Sequence, residues 1–282
     1  MCGGESGMGA CLREVETLAF LKIKREEAGL ICAPFAELVS WFYRRSAIGG
    51  VDHVCLVFQG GGVSLREAMT ERQEKTRSAA TVTKPSLSWE SKDVVAVARG
   101  LLEGIAFFHS LGLVHADIKP ENVVLYPRSG GNGCGGMRSS DLTDSSQPPF
   151  DLRIIDLGNS VFAADAVPGV TAGTPSYLSP EASKGMPWGL PVDVWAAGCI
   201  LEEIITCRRV KNAGNGAARP QGVNGNIAVF ELTARVQGNA VEEASGKIFP
   251  LLVTLVKRLM TEDVTARPSA ADALKDPVFS LS

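Results

Sequence analysis

The sequence has little of what zinc-bound or disulfide-rich domains need. It holds three histidines, and its seven cysteines are scattered without a CxxC pair. We therefore expect neither a zinc site nor a disulfide framework, and we predict a reducing, intracellular location in the cytoplasm or nucleus. The net charge is only −3, which favours neither a nucleic acid nor an anionic membrane surface as the partner.

The sequence also lacks a long apolar run. Its densest one, residues 194–201, ends at Glu202 and Glu203, and a segment of that length is too short to cross a bilayer. The first residues show no charged stretch followed by an apolar core, so we predict no signal peptide and no membrane partner. A length of 282 residues with 45% apolar residues predicts a globular chain of two lobes or two small domains.

Apolar spacing predicts helices along much of the chain. Residues 12–27 and 91–112 carry apolar side chains at helical spacing, and we expect Ser91 and Gly112 to cap the second of these helices. Residues 193–207 are apolar nearly all round, which is typical of a helix buried in the middle of a lobe. Further helices are predicted over 65–69, 228–238, 249–260 and 269–279.

Strands are predicted in three places. HVCLVF, residues 53–58, is a valine-rich run that ends near three glycines. Residues 123–126 and 151–156 are short apolar runs on either side of a segment rich in glycine, serine and proline, 127–149, which predicts a disordered insertion in a hairpin. Residues 70–88 are polar and predict a loop. A single hairpin among mostly helices predicts an α+β fold.

Acidic and amide side chains stand at two points beside the predicted strands. Asp117, Lys119 and Asn122 share one short segment, in which Pro120 restricts the backbone. Asp156 ends an apolar strand, a place where a lone aspartate often only forms a turn. Together, however, a carboxylate and an amide oxygen suit a hard divalent cation such as Mg²⁺, while a second aspartate accepts a proton. With a lysine to face negative charge, this set predicts phosphoryl transfer.

Three segments resemble motifs of the eukaryotic protein kinase family, in its serine/threonine branch. They are HADIKPEN at 115–122, which would be the catalytic loop, DLG at 156–158, and GTPSYLSPE at 173–181, the end of the activation segment. The resemblance implies an α+β, protein-kinase-like fold with a small β-rich N-lobe and a mainly helical C-lobe. Residues 1–62 would form a partial N-lobe with the C-helix, a strand and the hinge, and residues 63–282 would form the C-lobe.

The same resemblance implies ATP and Mg²⁺ as cofactors and a serine or threonine of a protein as the acceptor. Asp117 would accept the proton of the substrate hydroxyl, and Lys119 would face the γ-phosphate. Asn122 and Asp156 would bind Mg²⁺, and Thr174 would bridge to the catalytic loop.

Three further residues would support the site rather than react. Asp193 would hold the backbone of the catalytic loop, and Arg267 would pair with Glu181 at the end of the activation segment. The resemblance assigns these three to stability and not to catalysis.

On the nucleotide side, Glu14 would be the helix glutamate that pairs with a phosphate-binding lysine. Phe58 would guard the back of the pocket. Gln59 and Gly61 would offer backbone contacts to adenine, and Ser64 would meet the ribose.

The sequence departs from the family at three points. Only 13 residues precede Glu14, whereas the family places three strands, a Gly-rich loop and the phosphate lysine there. We therefore expect an incomplete N-lobe that lacks both the loop and the lysine. Ala116 replaces the arginine that pairs with an activation-segment phosphate, and Leu157 replaces the phenylalanine of the DFG motif.

These features leave three alternatives for function. The first is a serine/threonine protein kinase whose complete product carries the missing strands. The second is a pseudokinase that acts as a binding or scaffold module, which the missing lysine favours. The third is a small-molecule kinase, and GTPSYLSPE argues against it because this segment resembles the peptide-docking region of protein kinases.

Overall fold

The structure is a computed structural model that describes residues 5–30, 33–44, 53–78, 89–127, 150–166, 173–206 and 245–281. The predicted insertion, apart from Pro127, and the predicted helix over 228–238 lie outside these residues. Within them, several long helices carry most of the core and the sheets are small. The described chain therefore has the predicted α+β architecture.

Helices form the larger part of the described chain. Their bounds are α1 Glu5–Glu27, α2 Leu65–Ser78, α3 Ser91–Ser110, α4 Pro180–Ser183, α5 Pro191–Thr206, α6 Ser245–Leu259 and α7 Ala270–Ala273. Most residues of α5 are buried, as its apolar sequence predicts. Both α3 and α6 pack against α5, and Leu101, Ile200 and Leu255 from these three helices are fully buried in one core.

The strands are short. Their bounds are β1 Leu38–Arg44, β2 His53–Phe58, β3 Val63–Ser64, β4 Leu113–Val114, β5 Val123–Pro127, β6 Phe150–Ile154 and β7 Val161–Phe162. Antiparallel pairing joins β1 to β2, β5 to both β3 and β6, and β4 to β7. Val123 lies opposite Ile154, so the residues before β5 and those after β6 meet at one end of the hairpin. This register brings the catalytic loop beside Asp156.

α1 belongs to the same core as the larger lobe. Leu18 and Leu21 of α1 are buried in one cluster with Phe35 and Ile154. A 3₁₀ turn, Leu157–Asn159, follows Asp156 and contacts α1. The helix that carries Glu14 therefore lies against the segment that carries Asp156.

Two elements differ from the sequence prediction. α2 continues to Ser78, where the sequence predicts a loop, because its polar residues are good helix formers and Leu65 and Met69 anchor its first turns in the core. The strand β1 is not predicted at all, although its composition, LVSWFYR, favours a strand. Nearly all of β1 is exposed, so its sequence shows no alternation of apolar and polar residues.

The helix ends also correct the prediction in detail. Ser91 is the first residue of α3 and not its cap, because Glu90 takes that position without a side-chain hydrogen bond. Gly112 follows the helix with φ of 72°, as expected for a glycine at a helix end. The last predicted helix is shorter, because α7 ends at Ala273 and a separate 3₁₀ turn, Pro277–Ser280, follows.

Cys11 in α1 is disulfide-bonded, whereas Cys55 and Cys199 are thiols. A single bridge is not the disulfide framework that the spacing of the cysteines argues against. Spacing does not reveal a single bridge, because bonding depends on which cysteines the fold brings together.

Among the described residues, no helix is long and apolar enough to cross a membrane.

Candidate active site

The backbone of the catalytic loop is held by one buried carboxylate. Asp193 Oδ2 accepts a hydrogen bond from His115 N at 2.9 Å, and its Oδ1 accepts one from Ala116 N at 2.9 Å. His109 Nε2 lies 3.0 Å from the same Oδ2. Ala116 has a left-handed backbone with φ of 64°, which is unfavourable for a residue with a Cβ atom. Asp193 therefore helps to offset this strain, in the position that the resemblance implies.

His115 links the catalytic loop to the end of β6. Its Nδ1 accepts a hydrogen bond from Asp117 N at 3.2 Å, and its Nε2 lies 3.0 Å from Ile155 O. A carbonyl oxygen only accepts, so Nε2 carries the hydrogen in this arrangement. The neutral tautomer satisfies both contacts and ties Asp117 to the residue before Asp156.

Asp117 lies at the centre of a compact polar group. Its side chain is 6% exposed. Lys119 Nζ donates to Asp117 Oδ2 at 2.6 Å, and Thr174 Oγ1 donates to Asp117 Oδ1 at 2.7 Å. Lys119 Nζ also lies 3.1 Å from Thr174 Oγ1. The lysine balances the charge of the carboxylate, and the two donors determine the orientation of both its oxygens.

A glycine allows Thr174 to approach the catalytic loop. Gly173 has φ of 106°, and a Cβ atom there would lie 2.4 Å from Ala116 O. Both the backbone conformation and the space therefore require glycine. This close contact brings the activation segment to the loop and places the Thr174 hydroxyl on Asp117.

Asn122 and Asp156 offer oxygen atoms that fit a divalent cation. Asn122 is buried, and its Nδ2 donates to Asp117 O at 3.0 Å, which leaves its Oδ1 as an acceptor. Asn122 O accepts from Ile155 N at 2.9 Å, so the two metal candidates belong to adjoining segments. Asp156 is exposed, has φ of 65° and accepts no hydrogen bond from the part of the chain that the structure describes. An amide oxygen and a carboxylate suit Mg²⁺.

Glu14 contacts the residue after Asp156. Leu157 N donates to Glu14 Oε1 at 3.3 Å. Burial raises the pKa of Glu14, and the nearby charge of Asp156 raises it further. Over the described ranges no lysine forms an ion pair with Glu14, and Lys24 of the same helix pairs with Glu27 at 2.7 Å.

Two residues expected to meet adenine lie in the hinge segment, residues 59–62, between β2 and β3. Gln59 N donates to Glu37 O at 3.4 Å, and Gln59 O accepts a hydrogen bond from Tyr126 Oη at 3.1 Å. Gly61 has φ of 117°, a conformation that favours glycine. The backbone groups of Gln59 are therefore already engaged within the chain.

Ser64 caps α2. Its Oγ donates to Glu67 Oε2 at 2.9 Å, and Glu67 N donates back to Ser64 Oγ at 3.2 Å. Hydrogen bonds from Ser64 lower the pKa of Glu67. This is a capping box, so the hydroxyl predicted to meet a ribose also has a structural role.

The sequence matches the family model for the protein kinase domain over residues 65–279. The chain belongs to the protein kinase family. The match begins at the start of α2 and includes the catalytic loop, Asp156, Thr174 and α5.

Several curated kinases are similar to this chain. The dual specificity protein kinase lkh1 of Schizosaccharomyces pombe is 36% identical over 41% of this chain and 16% of its own length. The serine/threonine-protein kinase AFC2 of Arabidopsis thaliana is 28% identical over 70% of this chain and 42% of its own length. The calcium/calmodulin-dependent protein kinase type I of S. pombe is 30% identical over 68% and 50%. The chain thus spans half or less of each of these relatives.

One kinase feature was missed by sequence reasoning: Arg66 of α2 joins four segments. It donates to Glu121 of the catalytic loop at 2.7 Å, to Glu203 of α5 at 2.7 Å and to Tyr177 Oη at 2.7 Å. Tyr177 Oη also donates to Glu203 Oε2 at 2.8 Å. Glu203, inside an otherwise apolar helix, was the available signal, because a buried carboxylate requires a partner.

A second ion pair anchors the end of the activation segment. Arg267 Nη1 and Nη2 donate to the two oxygens of Glu181 at 2.7 and 3.1 Å. Burial, the largest single effect, raises the pKa of Glu181, but the hydrogen bonds and charge of Arg267, a backbone hydrogen bond and a hydrogen bond from Ser179 together lower that pKa overall. The guanidinium also lies 5.1 Å from the centre of the Trp195 ring. The pairing expected from the resemblance is therefore present.

Proposed function

We propose that the chain is a serine/threonine protein kinase domain, which transfers the γ-phosphoryl group of ATP to a hydroxyl of a protein. The observation that carries this proposal is the Asp117 carboxylate, held between the Lys119 ammonium and the Thr174 hydroxyl. A carboxylate whose orientation is fixed by two donors suits general-base chemistry on a substrate hydroxyl. Names of relatives with serine/threonine or dual specificity support the acceptor class.

The proposed step has a simple balance. Asp117 takes the proton of the substrate hydroxyl as that oxygen forms a bond to the γ-phosphorus. The bond between the γ-phosphorus and the β,γ-bridging oxygen breaks, and ADP leaves with that oxygen. Lys119 stays close enough to Asp117 to offset negative charge on the phosphoryl group as it moves. The hydrogen bond from Thr174 to Asp117 Oδ1 fixes the orientation of the carboxylate while Asp117 Oδ2 accepts the proton.

Asn122 and Asp156 would hold Mg²⁺, which neutralises charge on the phosphates when it is bound. Asn122 is well suited because its Nδ2 is already engaged with Asp117 O, so that its amide oxygen keeps one direction. Asp156 is held differently, through the backbone: Ile155 N donates to Asn122 O, and His115 contacts Ile155 O. Both side chains are thereby brought to the end of the hairpin where the phosphates would lie.

The test is ATP-dependent phosphorylation by the whole 282-residue chain, with Mg·ATP and a mixture of serine- and threonine-containing peptides. Asp117→Asn keeps the shape of the side chain but not its basicity, so we expect turnover to fall by at least about 100-fold. Asp272→Asn changes an exposed aspartate of α7 and is the matched control, for which we expect the wild-type rate. An unchanged rate for Asp117→Asn would disprove its role as the base.

A second candidate is a pseudokinase that acts as a binding module. Two contacts favour it: Glu14 binds the Leu157 backbone, and the Gln59 carbonyl already has the Tyr126 hydroxyl. On this alternative the wild-type chain transfers no phosphoryl group, and Asp117→Asn leaves its cellular role intact. Loss of that role in Asp117→Asn, with the fold retained, would exclude the pseudokinase.

A further inference from the structure

Tyr126 of β5 occupies the hydrogen-bonding position of the hinge segment. Its hydroxyl donates to Gln59 O at 3.1 Å. Gln59 N donates to Glu37 O at 3.4 Å, so both backbone groups of this residue face partners within the chain. The Gln59 carbonyl, which the resemblance to protein kinases implies for adenine, is thus already bonded to the Tyr126 hydroxyl.

Packing holds the Tyr126 ring in this place. The guanidinium of Arg153 on β6 lies 4.4 Å from the centre of the ring. Gly62 of the hinge segment approaches the ring so closely that a Cβ atom would lie 3.1 Å from Tyr126 Cε2 and 2.2 Å from Val124 Cγ1. The pairing of Ser64 with Val124 keeps the hinge on β5. These contacts hold the ring, while the hydrogen bond from the hydroxyl to Gln59 O lies at the surface.

The carbonyl of Gln59 is an acceptor that suits the 6-amino group of adenine, which is a donor. A tyrosine hydroxyl has one hydrogen to donate, and in this structure the Tyr126 hydroxyl donates it to the Gln59 carbonyl. A carbonyl oxygen has two lone pairs, so a 6-amino group that approaches the oxygen from the side of the hydroxyl has to displace the hydroxyl to another partner or to water. The displacement subtracts from the affinity of the base.

We infer that Tyr126 competes with the 6-amino group of adenine for the Gln59 carbonyl and thereby sets the nucleotide affinity of this kinase. The inference rests on the proposed ATP site. It adds a residue outside the motifs that sequence reasoning used, and it implies that nucleotides without a 6-amino donor are not penalised by Tyr126.

The test is calorimetric titration of the whole chain with Mg·ATP. Tyr126→Phe keeps the ring between Arg153 and Gly62 but removes the hydroxyl, so we expect its Kd for Mg·ATP to fall about two- to tenfold, the worth of one hydrogen bond. Tyr43→Phe removes the hydroxyl of an exposed tyrosine on β1 and is the matched control, with an unchanged Kd. Purine riboside triphosphate, which lacks the 6-amino group, should bind wild type and Tyr126→Phe equally.

Each outcome separates the two proposals. Equal or weaker binding of Mg·ATP by Tyr126→Phe would overturn the role of Tyr126 and leave the ATP site standing. No binding of Mg·ATP by either protein would overturn both, because removal of the competitor should expose the site. A lower melting temperature for Tyr126→Phe calls for Tyr126→Leu, which also lacks the hydroxyl and is expected to show the same gain in affinity.

Discussion

Around Asp117, side chains from several segments meet inside the protein, whereas Glu14 makes few contacts and the charge of Asp156 near it has the same sign. Asp117 is 6% exposed and receives hydrogen bonds from Lys119 and Thr174. Glu14 receives one backbone hydrogen bond at 3.3 Å, and its carboxylate lies near that of Asp156. The charges around Asp117 are balanced, whereas Glu14 and Asp156 place two negative groups near each other, which favours a cation.

The sheets differ in the same way. The β5–β6 hairpin packs on α3, and Ile154 is fully buried. By contrast, β1 exposes Trp41, Phe42 and Tyr43 by 40, 52 and 53%. Two-stranded sheets are only marginally stable in water, so β1 and β2 depend on α1 for support. The part of the protein around Asp117 is therefore held by the core, while β1 and β2 are held by fewer contacts at an edge.

The largest predicted effect concerns the ion pair between Arg267 and Glu181, in the part of the protein that the core holds. Arg267→Met leaves the Glu181 carboxylate buried without its bidentate partner, so we expect the free energy of unfolding to fall by about 3–5 kcal/mol. Chemical denaturation measures it. Lys275→Met removes a largely exposed ion pair with Asp272, and we expect no measurable change.

The pH dependence of this ion pair has a definite sign. The pKa of Glu181 is lowered in the folded protein, so its contribution is fully present above the pKa of the unfolded chain and is lost as pH falls through the folded value. Arg267→Met should therefore lose less stability than wild type on acidification. Equal acid sensitivity of the two proteins would contradict this account of the pair.

An effect of intermediate size is predicted for the stability of variants at Ser64, which lies between the two regions compared above. If the hydroxyl serves mainly as the cap of α2, Ser64→Ala should lower stability by about 1 kcal/mol, and Ser64→Gly by only a few tenths. Thermal denaturation of the three proteins tests this order. An equal loss of Mg·ATP affinity in Ser64→Ala and Ser64→Gly, both of which lack the hydroxyl, would instead assign the hydroxyl to the ribose.

The smallest predicted effect concerns Glu14. The pKa of Glu14 in the folded protein is raised above its ordinary value of 4.5. Between the unfolded and the folded pKa, the folded chain therefore holds more protons than the unfolded chain, and the free energy of unfolding falls as pH rises through this range. Glu14→Gln removes the charge and keeps an acceptor for Leu157 N, so we expect it to be slightly more stable than wild type near neutral pH and equal to it near pH 4. Glu16→Gln, on the exposed face of α1, should show no such difference, and a parallel pH profile for Glu14→Gln and wild type would contradict the prediction.

The sequence predicted the long elements well, and the exposed ones poorly. α3 and α5 have apolar residues at clear positions because each packs on other helices. The sequence did not predict β1, because no face of this strand is consistently buried. It also did not predict the second half of α2, because the polar residues there form no periodic pattern. Periodicity records burial, so an element that buries little leaves little trace.

In the candidate site too, some features follow from local sequence and others depend on how distant residues pack. The order and spacing of Asp117, Lys119 and Asn122 are local, and the sequence by itself determined that they share one rigid loop and that the chain is kinase-like. Only the tertiary structure decided that Thr174 reaches Asp117, that Arg66 joins Glu121 to Glu203, and that Tyr126 takes the Gln59 carbonyl. These contacts join residues far apart in the chain, and their geometry depends on packing that no local pattern of residues encodes.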